Sequence, residues 1–424
     1  MQLGPRPGMM PLRHPHEPVA GRRWNGFQAV ENVMPHSRTR DPAFCRPDAP
    51  EGGLKVLRRD FAARGPVVSL QNRRRIDVRA LMIGRTASGA AGLLRQVYPQ
   101  TGTVQGLACL TALELALDRP ADPGTLRARA LFAQAEIAVA MIQRACTVWP
   151  RLLGEQPQLP LLRYANAAMQ ALGARLWRGG DPLDGSATAA PLSQAEPAIS
   201  ALIEAIETAV LPRAPADPGA LADWASRNDA PMARLIRRAA RVPFLHRVAP
   251  ANPLPDLPTL STLLTCDPAG AAVHGGLAFD PTPYARQAHD PGAARFGPLG
   301  ARFLAQAAQA QALVEALTRL DPPPLATCRS GQGAGVAMVE GLGGPLLQCA
   351  SCDRHGRITR YSSRMPADWI LHPDGALTAM LAALKPERFL RDAPMVLAGF
   401  DAGGSAVVRH ARLDAAADSR PEGA

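Results

Sequence analysis

The sequence predicts an α+β chain that is mostly helical, with a core of long bundled helices and small peripheral β-sheets. Three observations carry this prediction. Between residues 81 and 245, apolar residues recur at three- and four-residue steps, the period of a helix that buries one face. Segments of β-type composition are confined to 51–80 and 331–411. A length of 424 residues buries a sizeable core without help from disulfides or metals, and no fixed period marks a solenoid.

Taken in order, residues 1–50 are rich in Pro, Arg and His with no apolar period and predict a disordered arm. Residues 51–412 are expected to form a single domain. Within it, 54–57 and 67–70 have strand composition and flank a loop at Gly65 and Pro66. Across 125–149, Leu131, Ala135, Ala138, Ile142, Ala145 and Trp149 fall on one face of a long helix. Asp122, Pro123, Gly124 and Thr125 supply its start signal. Residues 158–177, 193–211 and 219–242 read as further helices, and Gly/Pro connectors such as 178–182 make the set an antiparallel bundle. The proline-dense stretch 246–292 predicts a long irregular connection. A helix is expected over 293–320, stopped by Asp321 and three prolines. The part from 331 to 411 is expected to be β-rich, with one short helix near 376–384, and 413–424 a disordered tail.

Charge and cysteine content narrow the function. The net charge of +11 is almost all arginine, because only Lys55 and Lys385 are lysines. The densest run, Asn72 to Arg75, is short, and aromatic residues are 4% of the chain, too few for base stacking. Nucleic acid is therefore not the expected partner, whereas an acidic protein partner fits. The seven cysteines are odd in number and mostly isolated inside apolar runs, which predicts reduced thiols in the cytoplasm. No stretch reaches the run of about 18 apolar residues of a membrane span, and no signal-peptide core is present.

Cys349 and Cys352 form the one thiol pair with metal-ligand spacing, with His355 close behind. A structural zinc site needs four ligands and there is no second pair. In a continuous strand, positions three apart point to opposite faces. The two thiols therefore converge only if the strand breaks before the turn at 353–356, and are otherwise two buried strand thiols. Gly331, Gly333 and Gly335 lack the helix and lysine of a phosphate loop and read as the entry to a strand. Trp369 reads as a core anchor.

Four segments, together with a closing motif, resemble the large subunit of nickel–iron hydrogenases. The run 80–117 is similar to the family stretch Arg-x-Cys-x-x-Cys followed by His and an Ala-rich helix ending in Glu. Aligned on Glu114, it places Tyr98 and Thr101 at the cysteines and Gln105 at the His. Residues 282–306 resemble the helix entry after the proline-rich connection. Residues 339–348 resemble Glu-x-x-Arg-Gly-x-Leu-x-His, with Gly343 at the Arg and Gln348 at the His. The run 365–375 resembles Pro-Thr-x-Trp-Asn-x-x-Pro and continues into His-Pro-Asp-Gly, as in the HupK/HoxV-type assembly proteins. The closing Asp-Pro-Cys-x-x-Cys corresponds to Asp401-Ala402-Gly403-Gly404-Ser405-Ala406, so Gly403 and Ala406 stand where thiolates bridge nickel and iron.

This resemblance implies the large-subunit fold and a vestigial pocket at Tyr98, Thr101, Gln105, Gly343, Asp401, Gly403 and Ala406. It also implies a non-catalytic accessory protein that assists assembly of the iron cyanide/carbonyl centre. Its partners would be hydrogenase maturation factors or the large-subunit precursor. The alternative is a structural or regulatory partner of hydrogenase subunits that handles no metal. No resident cofactor or metal is expected, beyond at most a transient iron cyanide/carbonyl unit at Cys349 and Cys352.

Overall fold

A computed structural model describes residues 53–413, apart from 62–64, 73–75, 77, 99–100, 179, 247, 249–250, 267–272, 275–276, 288–290, 323, 331–332 and 403–405. The expected arm at 1–50 lies outside the described residues, as do Gly403 and the expected tail 413–424 apart from Leu413, which ends a strand instead. The first strand, β1 (Leu54–Phe61), pairs antiparallel with β2 (Gly65–Asn72). Gly65 and Pro66, expected in a loop, instead open β2 opposite Phe61 and Asp60. Proline is tolerated at a strand start because no ladder donor is needed there.

Helices α1 (Val78–Met82), α2 (Ala87–Val97) and α3 (Gly102–Ala116) follow. The third is apolar all round and buried along nearly its whole length. The long helix α4 (Pro123–Thr147) begins as its start signal predicts: Asp122 accepts hydrogen bonds from Gly124 N (2.9 Å) and Thr125 N (3.0 Å). The six residues assigned to its inner face are all buried. Helix α5 (Trp149–Leu153) continues it, and α6 (Leu159–Trp177) and α7 (Glu196–Ala209) pack against it, with Phe132 edge-on to Trp177 at 5.2 Å. Residues 123–153 are long and apolar enough to cross a membrane by composition alone. However, 61% of its apolar 18-residue stretch is buried inside the protein, which makes it the core helix of the bundle.

The single helix expected over 219–242 is two helices, α8 (Leu221–Arg227) and α9 (Pro231–Ala240). Pro231 is the reason: it has no N–H to donate and keeps Ala230 out of the helical region, while Asn228 Oδ1 accepts from Ala230 N at 2.7 Å. The proline-dense connection is likewise not wholly irregular. It contains α10 (Leu257–Cys266), the short strands β3 (Val273–His274) and β4 (Leu277–Ala278), and α11 (Pro283–Gln287). Asp256 caps α10 by accepting from Thr259 N at 2.9 Å, and Pro258 sits in the first turn, where its missing donor costs nothing. Next come α12 (Pro291–Ala294) and α13 (Gly297–Arg319), in place of one helix over 293–320.

Strands β5 (Ala326–Arg329), β6 (Gly335–Val339), β7 (Leu346–Cys352) and β8 (Ile358–Arg364) form an antiparallel sheet in that order. Both faces are covered near β7. Leu347 and Cys349 pack with Leu257, Leu260 and Trp369, while Ala350, Ile358 and Tyr361 pack with α1 to α3. The approach to α3 is very close: a Cβ at Gly335 would lie 1.9 Å from Ala112 O.

The β-rich expectation for 331–411 fails after Arg364, where α14 (Pro366–Ile370), α15 (Ala376–Ala382) and α16 (Phe389–Gly399) intervene before β9 (Val407–Leu413). Pro366 and a cap in which Met365 N donates to Asp368 Oδ2 (2.8 Å) turn the chain into helix there. β9 lies parallel to β1 on the edge opposite β2. Fully buried Arg58 ties this sheet to α15 by donating to the carbonyls of Leu381 (3.3 Å) and Leu384 (2.6 Å), a cation at a helix C-terminus. Mostly helical with small sheets, the fold is of the class the sequence predicts.

Candidate functional site

The α2–α3 connection and the β7–β8 hairpin meet in a buried, uncharged chain of hydrogen bonds. Tyr98 ends α2, Thr101 precedes α3, and Gln105 lies in the first turn of α3. Gln105 Nε2 donates to Thr101 Oγ1 (3.2 Å) and approaches Met365 Sδ (3.3 Å). Its Oε1 accepts from Gln348 Nε2 at 3.3 Å, and Gln348 Oε1 accepts from the Tyr361 hydroxyl. Gln105 is 1% exposed and Gln348 fully buried. Burial, then the neighbouring Asp368, pushes the Tyr98 phenol up to about 12. Burial also holds Tyr361 well above its ordinary value. Both stay protonated at neutral pH, so every member of this group is neutral.

The Thr101 hydroxyl accepts from Gln105 and does not cap α3. Glu136 on α4 does so instead, with Oε2 accepting from Val104 N at 2.8 Å. An acid at a helix N-terminus is favourable. Even so, burial lifts this carboxyl to about 7, against the lowering effect of the Val104 and Thr103 amides.

A second group forms around Asp401. It follows α16 in the left-handed region (φ 55) with its amide donating to Ala398 O at 3.1 Å. Its carboxylate pairs with Arg144 Nε at 2.6 Å. Burial raises the carboxyl, and Arg144 opposes that shift. Gly343 faces this aspartate: a Cβ there would stand 3.5 Å from Asp401 Cβ and Oδ2 and 3.7 Å from Pro366 Cβ, ordinary contact distances. Gln306 closes the floor by donating to Ala398 O and Gly399 O at 3.2 Å. The cavity left between Arg144, Trp149, Gln306 and Asp401 is about 10 Å³, roughly the room of one water. Arg302, 2% exposed, borders Gly343 but is committed to Asp280 (2.6 Å) and lies over the Phe400 ring at 3.6 Å. Ala402 and Ala406 pack against the main core.

The structure therefore brings Thr101 and Gln105 together, and separately Gly343 and Asp401. Met365 touches the first pair and Pro366 adjoins the second. Arg144, Glu136, Arg302 and Tyr361 were not singled out from sequence. An arginine inside the apolar run of α4 was the one available signal for Arg144.

Cys349 and Cys352 lie on opposite faces of β7. Cys349 packs with Leu257, Leu347 and Trp369, whereas Cys352 packs with the cluster of Cys109, Ala350 and Tyr361. The register shift at Ser351 and Cys352 does not turn the two thiols toward each other. Burial raises the Cys349 thiol, partly offset by a bond from Ser362, and raises Cys352 with help from Asp353. His355 sits exposed at the hairpin tip, where Asp353 Oδ1 accepts from His355 N (2.8 Å) and Arg357 N (2.9 Å). Trp369 is fully buried among Leu257, Leu260 and Leu347.

The fold matches the nickel–iron–selenium hydrogenase of Desulfovibrio vulgaris Hildenborough in the reduced state, with a TM-score of 0.51 at 12% identity, over 79% of this chain and 93% of the other. The reduced, active nickel–iron–selenium hydrogenase of Desulfomicrobium baculatum gives a TM-score of 0.50 at 10% identity, again over 79% and 93%. The chain is thus a protein of hydrogenase large-subunit-like fold. In sequence it is similar to the hydrogenase expression/formation protein HupK of Rhodobacter capsulatus, 28% identical over 311 residues, 73% of this chain and 82% of that protein. No family model matches the chain.

A nickel–iron centre, which this fold family implies, requires soft thiolate donors. At the positions that the sequence resemblance sets against the family's cysteines, Tyr98 offers a protonated phenol, Thr101 a hydroxyl already bonded to Gln105, and Ala406 a methyl group. Among the described residues, no three of His, Cys, Asp and Glu converge on a point that could hold a metal ion. The residues present do not fit the group.

Proposed function

We propose that this chain is a non-catalytic accessory protein of hydrogenase formation. It acts in the cytoplasm as a scaffold or docking factor during assembly of the iron cyanide/carbonyl centre and leaves ligation of the iron to its partner. Similarity to HupK supports the first part. One observation supports the second: within a large-subunit-like frame, Thr101, Gln105 and Gln348, which the resemblance sets at one cysteine and two histidine positions, join Tyr361 in a closed, neutral chain of hydrogen bonds. Such a chain satisfies its own donors and acceptors and has no thiolate or imidazole to give a metal.

The test is purification of the tagged protein from cells that carry the complete hydrogenase maturation system. Maturation factors or the large-subunit precursor should co-purify. Any infrared bands of iron-bound cyanide or carbonyl should persist in Cys349→Ala and Cys352→Ala variants, because the iron stays on the partner. Recovery of mature hydrogenase alone would instead favour a structural or regulatory subunit. Loss of the bands in either cysteine variant would place the iron on this chain and refute the division of labour.

A further inference from the structure

Helices α5, α9 and α16 enclose a cleft of about 390 Å³. It is walled by five arginines, Arg151, Arg238, Arg241, Arg388 and Arg391, and by one acid, Asp392. Asp392 is buried and already shared, accepting from Arg388 Nε (2.7 Å) and Arg391 Nε (3.1 Å). Arg151, Arg238 and Arg241 are exposed and make no ion pair with any described residue. Glu155, close in sequence to Arg151, is paired with Arg234. The cleft therefore holds four positive charges in excess of its acid.

Its floor is aliphatic, with Leu152, Val242 and Met395 among the lining residues, and no aromatic residue lines it for base stacking. Leu245 and Leu390, close to the lining residues in sequence, are more than half exposed. Two of these helices, α5 and α16, also border the Asp401 cavity, through Trp149 and Ala398.

We propose that this cleft docks an acidic protein segment in which carboxylates alternate with aliphatic side chains. Guanidinium groups take carboxylates in bidentate pairs, and the floor takes the apolar residues between them. The volume accommodates a few residues of extended chain. The role of that segment in hydrogenase assembly rests on the function proposed above, whereas its binding does not.

The test uses the full-length protein and a fluorescent peptide, Asp-Glu-Leu-Glu-Glu-Leu-Asp-Glu-Leu, in an anisotropy titration at two ionic strengths. Wild type should bind, more weakly at higher salt. The double variant Arg151→Glu/Arg241→Glu should weaken binding at least tenfold. Arg151→Gln/Arg241→Gln should weaken it less, and Arg119→Glu, at an exposed arginine outside the cleft, should leave it unchanged. Circular dichroism of each variant reports whether the fold is retained. Peptide binding that survives the charge reversal in a folded variant overturns the proposal. So does single-stranded DNA of equal charge binding as tightly through the same arginines. A peptide that binds while no maturation factor co-purifies would sink the assembly role and leave the cleft's specificity standing.

Discussion

Replacing Glu136 with glutamine should stabilise the protein above neutral pH and leave it unchanged in acid. The carboxyl is lifted from 4.5 to about 7 by burial at the N-terminus of α3. Between those values the folded state holds a proton that the unfolded chain has released, so stability falls as pH rises. At about 1.4 kcal/mol per tenfold change in proton affinity, the loss reaches roughly 3 kcal/mol once pH exceeds the folded value. Glutamine keeps an oxygen that can accept from Val104 N, now 2.8 Å from Glu136 Oε2, but carries no charge to desolvate. Urea denaturation of both proteins at half-unit steps from pH 4 to 9 measures the difference. The curves should coincide near pH 4, diverge through pH 4.5–7 and run parallel above it. A constant gap would show that the charged carboxylate's attraction to the helix N-terminus balances its burial, and a less stable variant at pH 8 that it outweighs it; either would refute the reasoning.

Three further outcomes follow from the geometry. Gly335→Ala should cost about 1–3 kcal/mol or more by chemical denaturation, because its Cβ would collide with Ala112 O, whereas Gly343→Ala, with only ordinary contacts to Asp401, should stay within about 0.5 kcal/mol of wild type. Arg129→Met breaks the two-pronged pair with Glu114 (2.7 and 2.9 Å) that joins α3 to α4. It should cost about 3–5 kcal/mol, since it strands a carboxylate in the interior, and the loss should be smaller in the double variant with Glu114→Gln. In native protein, Cys109 and Cys349 should resist an aromatic disulfide reagent and react only on unfolding, because burial raises both thiols. Rapid labelling of either in folded protein would contradict their placement.

Where sequence reading worked, the determinants were local. The inner face of α4, its Asp122 cap and the strands around residue 56 follow from side-chain period and from the hydrogen bonds of a few neighbouring residues. Misreadings came where local signals competed. Proline density suggested irregular chain over 246–292, yet Pro258 in a first turn is compatible with α10. Alternating composition suggested strand beyond Arg364, yet the cap at Met365 and Asp368 starts a helix.

The sequence by itself determined the fold class, the long helix α4 and the absence of thiols at Tyr98, Thr101 and Ala406, since each of these is a matter of which residue stands where along the chain. The tertiary structure alone decided what fills those positions. Gln105 meets Gln348 from 243 residues away, Arg144 reaches Asp401, and the thiols three apart on β7 enter different cores. Five arginines in or flanking three helices share one cleft for the same reason. These contacts are set by how helices and sheet pack across long separations, and spacing along the sequence does not encode which buried polar group will find which partner.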